Sequence, residues 1–213
     1  MNGRINAIAL MAGSLSLCTA AALAEPIDQL RQFLAQTTSA RGEFTQQSQR
    51  QGASASKGAW ELSRGSFEFL RPGKFRWTYS SPYEQLIISD GVHLFLYDKD
   101  LNQVTIKKLA GALPASPASI LFGSNDFERD FKVQNDGETD GIDWIRAIPS
   151  GKESLFASIR IGFRDSMPVA MQLRDSFGQS TQLAFEHLQR NPALTSERFR
   201  YTPPPGVDVL EEQ

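Results

Sequence analysis

One cysteine occurs in 213 residues, and it sits at position 18 within an apolar N-terminal stretch. The chain beyond it therefore has neither a disulfide framework nor a thiolate metal site. Only two histidines are present, His93 and His187, both in strand-like runs with no second ligand at metal spacing. Zinc has no ligand set here. No G-x-S-x-G elbow, phosphate-binding P-loop or dinucleotide glycine fingerprint occurs. Asp98 and Asp100 flank Lys99 in a stretch that reads as a turn, where carboxylates bond nearby backbone rather than work as an acid–base pair. No run of basic residues occurs, and the formal net charge is −2. That balance argues against nucleic acid as a partner, and no segment reads as a membrane-surface patch. With catalysis, metals and cofactors left without residues, the chain reads as a binder.

The first 24 residues have the make-up of an export signal. Arg4 gives a short positive region, residues 5–17 are apolar and uncharged, and Ala22 and Ala24 supply the small residues read by a signal peptidase. The apolar run is too short to span a bilayer. Cys18 follows Leu17, where a lipoprotein signal needs a small residue. Cleavage after Ala24 is expected, leaving residues 25–213 as one domain, long enough to bury a substantial core. Removal of Arg4, the only charge in the segment, takes the net charge to −3.

Residues 26–39 predict an amphipathic helix. Ile27, Leu30, Phe33 and Leu34 fall on one side, with Asp28, Gln29, Arg31 and Gln32 on the other. Almost everything after it alternates. Phe75, Trp77 and Tyr79 interleave with Lys74, Arg76 and Thr78. Ile159, Ile161 and Phe163, then Met171 and Leu173, then Leu183 and Phe185 repeat the pattern. Such alternation predicts antiparallel sheet with one dry and one wet face. Asp90-Gly91, Asp136-Gly137 and Asp140-Gly141 read as turns, and 203–206, rich in proline, as the end of the sheet. Residues 53–64 read as a long approach to a strand beginning near Gly65. Residues 109–122 read as a loop leading into a short apolar helix stopped by Gly123. A sheet this long must twist and curl. A partial barrel covered by helices is expected, and its interior is either a ligand cavity or a filled core.

Phe67, Phe69 and Arg71 are two apart and share a strand face, which puts a guanidinium in line with an apolar stripe. An unpaired buried arginine costs several kcal/mol or more. The position needs either a partner or solvent.

The stretches Arg71-Pro72-Gly73-Lys74-Phe75-Arg76-Trp77-Thr78-Tyr79, Pro82-Tyr83-Glu84-Gln85, Ser89-Asp90-Gly91, Leu101-Asn102-Gln103-Val104 and Phe199-Arg200-Tyr201-Thr202-Pro203-Pro204-Pro205-Gly206-Val207-Asp208-Val209 together resemble the outer-membrane lipoprotein carrier (LolA) family. The resemblance covers the chain after the signal, most thinly over 126–189. It implies an unclosed antiparallel β-barrel under a helical lid, enclosing a hydrophobic cavity in the periplasm. It implies a monomer without cofactor that takes acylated lipoproteins from an inner-membrane ABC-type release complex and passes them to an outer-membrane receptor. By the same resemblance Arg71 is the lid latch and Phe75 affects delivery. Phe67, Phe69, Phe75, Trp77, Leu30, Phe33, Leu34, Ile120 and Leu121 are the expected lining of the acyl-chain cavity, with plain core packing the competing role, favoured at Trp77. A carrier of another lipid such as a glycolipid, or a periplasmic sensing module of the same fold, are the alternatives.

Overall fold

The structure, a computed structural model, describes residues 25–49, 60–109, 127–151 and 156–212. The expected export signal, and Ile120 and Leu121, lie outside them. Helix α1, Pro26–Gln36, comes first. Six strands follow: β1 Ser39–Gln49, β2 Trp60–Leu70, β3 Lys74–Ser81, β4 Gln85–Asp90, β5 His93–Asp98 and β6 Gln103–Lys108. After a single helical turn, α2 Phe127–Asp130, come β7 Phe131–Thr139, β8 Ile142–Pro149, β9 Phe156–Arg164, β10 Met167–Asp175, β11 Ser180–Arg190 and β12 Asp208–Glu212.

All twelve strands form one sheet in the order β12-β6-β5-β4-β3-β2-β1-β11-β10-β9-β8-β7. Every neighbour is antiparallel except β12 beside β6. β7 and β12 are the two edges and do not pair, so the sheet is open. Its curl is visible in the core. One apolar cluster joins Phe75, Trp77 and Leu94 from one half to Ile145, Ala147, Ile159 and Ile161 from the other. Only a sheet bent around a common interior brings those inner faces together. Helix α1 lies in the bend against β7–β9, burying Leu30, Phe33 and Leu34.

Several expectations require correction. Helix α1 ends at Gln36 rather than Ser39, because Thr37 is extended and its N–H closes the last turn on Phe33 O. Gln29, assigned to the wet side, is buried; its amide donates to Asp143 Oδ2 (2.5 Å) and accepts from Ser166 N (3.1 Å). The strand expected near Gly65 begins at Trp60. Asp136-Gly137 is not a turn but a bulge inside β7, with Gly137 at φ +77°. Proline-rich 203–206 does not end the sheet, since β12 follows it and pairs with β6.

The outer face is not wet throughout. At β4–β6 it carries Ile88, Phe95 and Val104, which pack with Leu86, Tyr97, Ile106, Tyr201 and Val207 in a second apolar cluster. The segment after β11 crosses the outside of the sheet here and drives Phe199 to complete burial. Glu68 and Arg76 hold it in place, accepting from the Arg198 guanidinium (2.6 Å) and donating to the Arg198 carbonyl (3.3 Å) respectively.

Candidate functional site

The inner surface of β1–β3 is built of aromatic rings. Cross-strand register pairs Phe67 with Trp77 and Phe69 with Phe75. Phe44 enters from β1, stacking on Trp77 at 4.1 Å, and Phe67 stacks on the same indole at 5.5 Å. Two glycines make room for this. Phe44 lies over Gly65 and Phe67 over Gly42, each ring filling the space above the other strand's missing side chain. Leu30, Phe33 and Leu34 of α1 join the same apolar cluster, with Phe33 edge-on to Phe163 of β9 at 6.4 Å. All seven described members of the expected lining belong to one cluster, none more than 7 % exposed. Among the described residues the interior is filled by the protein's own side chains.

Arg71 stands at the corner of this surface. The β2–β3 turn runs through a cis Arg71–Pro72 bond and Gly73 at φ +69°. Arg71 N donates to Thr38 O (2.8 Å), Arg71 Nε donates to Thr37 O (2.9 Å), and the guanidinium lies over the Phe69 ring at 5.2 Å. Thr37 is the residue on which α1 ends, so the cation meets the carbonyl-rich, negative end of that helix. The group is half-buried, and loss of water pushes its pKa down to about 10.

The same turn touches a third element. Leu109, buried just beyond β6, donates its N–H to Val92 O (2.9 Å), and its side chain lies 3.3 Å from where a Cβ on Gly73 would stand. Ser89, wholly buried, donates its hydroxyl to Gly73 O (2.8 Å). The Arg71-Pro72-Gly73 corner therefore joins the end of α1 to the start of residues 109–126. Phe127, at the far end of that segment, is buried against Phe131 at 4.7 Å, and Glu128 pairs with Arg31 of α1 (2.8 Å). Leu109 and Phe127 thus lie on opposite halves of the open sheet.

The structure therefore unites Arg71 with Phe67, Phe69, Phe75, Trp77, Leu30, Phe33 and Leu34. Thr37, Leu109 and Ser89 are additions that sequence reasoning missed. Thr37 acts through a backbone carbonyl, which leaves no side-chain signal. Two surface hollows of about 420 and 490 Å3 lie on the outer face instead, lined by groups such as Arg41, Glu43, Glu68 and Arg76. Their polar walls are unsuited to hydrocarbon.

A sequence model for the family described as outer membrane lipoprotein carrier protein LolA matches residues 35–202. The chain belongs to this family. An outer-membrane lipoprotein carrier protein of Cupriavidus taiwanensis is 47 % identical over 212 residues, covering all of both chains. One from Cupriavidus pinatubonensis is 50 % identical over 191 residues, 90 % of each chain. Among solved structures, an uncharacterised conserved protein from Thermus thermophilus superposes with a TM-score of 0.55 at 15 % identity, over 88 % of this chain and 97 % of that one. A LolA superfamily protein from Nitrosomonas europaea gives 0.52 at 11 % identity, over 83 % and 96 %. These two likenesses concern the fold, and they agree with the open sheet seen here. Arg71, in the Arg-Pro turn, donates to the exit of α1.

Proposed function

We propose that this chain is a periplasmic lipoprotein carrier that accepts acylated lipoproteins from an inner-membrane ABC-type complex and releases them to an outer-membrane receptor. The observation that carries the reading is the half-buried Arg71 guanidinium, bonded to Thr37 O at the lip of an aromatic surface. Each acyl methylene removed from water contributes about 0.8 kcal/mol, so a multiply acylated cysteine requires a large apolar shelter to cross an aqueous space. Phe67, Phe69, Phe75 and Trp77 offer one. Leu30 and Phe33 of α1 belong to the same apolar cluster when no cargo is bound, so loading displaces α1.

Arg71 sets the balance. In the closed state its charge-assisted bond to Thr37 O, worth about 1.5–3 kcal/mol, competes with the cargo for the position of α1. Release then needs only a receptor that takes the chains while the bond reforms. Phe75 is 1 % exposed, so any part it has in delivery follows displacement of its cover. No step of this cycle breaks a covalent bond, and the protein acts without catalysis or cofactor.

The test is Arg71→Leu. The variant is expected to fold and to load with acylated lipoprotein, yet to retain it in the presence of receptor. Release at the wild-type rate would overturn the latch while leaving the carrier in place.

A further inference from the structure

No single segment of the sequence is basic and apolar enough to suggest a membrane-facing patch, yet the fold assembles one from four distant segments. Strand register lines up Lys132, Ile148 and Arg174 along one end of the outer face. β11 and β1 extend the row to Trp60, because Gln49 pairs with Trp60 while its side chain accepts from Ser180 N (3.2 Å). Leu62, two residues along β2, lies on the same face.

Phe177 projects beyond this row from the β10–β11 hairpin. Asp175 Oδ1 accepts from both Phe177 N (2.9 Å) and Gln179 N (2.8 Å), and Gly178 N donates to Asp175 O (3.1 Å). A turn fastened in this way leaves Phe177 84 % exposed. Trp60, Leu62 and Ile148 are each about two-fifths exposed. Lys132 and Arg174 are exposed and have no ion-pair partner among the described residues. In the next row Arg146 and Arg160 share one carboxylate, Asp136, leaving a net positive charge there too.

We propose that this end of the sheet rests on the surface of an anionic phospholipid bilayer. Exposed aromatics with cations behind them suit a membrane interface, where the rings enter the headgroup layer and the cations meet phosphate. The shape fits the same occupant. A phenylalanine on a protruding hairpin needs a deformable surface, whereas an acidic protein would need a pocket shaped to receive it. Charge complementarity orients the molecule. The far edge of the sheet, at β5, β6 and β12, carries Asp98, Asp100, Asp208 and Glu211, while Glu84 and Glu212 are paired with Lys99 and Lys107, so an anionic surface attracts the β7–β10 side and repels that edge. The attraction of each cation to such a surface is screened by salt, which makes the contact weak and reversible. The proposal does not depend on Arg71 or on cargo.

The test uses protein purified from the periplasmic fraction and vesicles free of lipoprotein. Flotation is measured with phosphatidylglycerol-containing and pure phosphatidylcholine vesicles, at low and high salt. Trp60 emission is read in parallel, because Trp77 and Trp144 are buried. Flotation with the anionic vesicles only, lost in high salt and accompanied by a blue shift, is expected. Phe177→Asp and Arg174→Glu, with unchanged melting, are each expected to reduce partition by about tenfold. Absence of flotation, equal flotation with neutral vesicles, indifference to both substitutions, or binding to an acidic polypeptide but not to vesicles would each overturn the proposal.

Discussion

Arg71 Nε donates to Thr37 O at 2.9 Å, and Thr37 is the residue on which α1 ends. A single side chain thus fastens the only long helix among the described residues to the β2–β3 corner. The helix buries Leu30 and Phe33 in the apolar cluster that contains the aromatic surface; its exit is held by a cation that burial disfavours.

The first prediction concerns that cost. Desolvation lowers the Arg71 pKa to about 10 in the folded state, below its ordinary value. Below pH 10 the group is charged in both states and the folded state bears the full penalty. As pH rises past about 10, the folded group loses its proton before the unfolded one, and the penalty shrinks. Arg71→Leu removes the penalty along with the bond, so its stability at pH 7 is expected to lie within about 1 kcal/mol of the parent. Denaturant titrations at pH 7 and 10.5 should show the parent gaining on the variant at the higher pH. A variant several kcal/mol less stable at pH 7 would make Arg71 a structural brace.

Leu30→Ala should loosen the cover. A buried leucine cut to alanine costs about 2–5 kcal/mol, and here the loss falls on the closed state. Equilibrium unfolding should report the destabilisation. A naphthylamine probe of apolar surface should bind several-fold more tightly to the variant than to the parent. Destabilisation without any gain in probe binding would mean that α1 covers no usable surface.

Gly65→Ala tests the close approach of the aromatic surface. An added Cβ would lie 1.9 Å from Thr78 O and 2.7 Å from the Phe44 ring. Backbone cannot move aside as a side-chain end can, so a loss at or above the overpacking range of about 1–3 kcal/mol is expected. Gly42→Ala meets the Phe67 ring at 2.9 Å and Glu186 O at 3.0 Å, a milder overlap than the 1.9 Å approach to Thr78 O, and should cost less. Reversal of that order in chemical denaturation would contradict the packing described.

Asp136→Asn tests the bulge in β7. Burial raises the Asp136 pKa, but hydrogen bonds and charge from Arg146 and Arg160 outweigh it and hold the carboxyl below its usual range. A lowered carboxylate pKa contributes stability that is present above the unfolded value and lost as pH falls through the folded one. The parent should therefore lose stability below about pH 4 in a component missing from the variant. The variant also leaves two arginines facing each other across strands β8 and β9. Identical acid unfolding curves would refute the pairing.

Most strands were legible because an antiparallel sheet with one dry face writes its burial directly into alternate positions. Phe67, Phe69 and Arg71 could be placed together for the same reason. Features that depend on distant partners were hidden. Gln29 looks like a solvent residue until Asp143 and Ser166 enclose it. β12 is exposed at every position and has no alternation to detect; it exists because β6 offers an edge. Leu86-Ile87-Ile88 and Leu94-Phe95-Leu96 are apolar on both faces because the C-terminal segment covers the outside, a contact between residues about a hundred positions apart. The lipid-facing patch was invisible for a related reason: its residues are scattered along the sequence.

Mass spectrometry of whatever co-purifies with the protein from the periplasm tests the central claim most directly. Acylated lipoproteins, released by detergent and recovered with their lipid-modified cysteines, are the predicted result. Free glycolipid in their place, or protein recovered empty from cells that are exporting lipoproteins, would contradict the carrier.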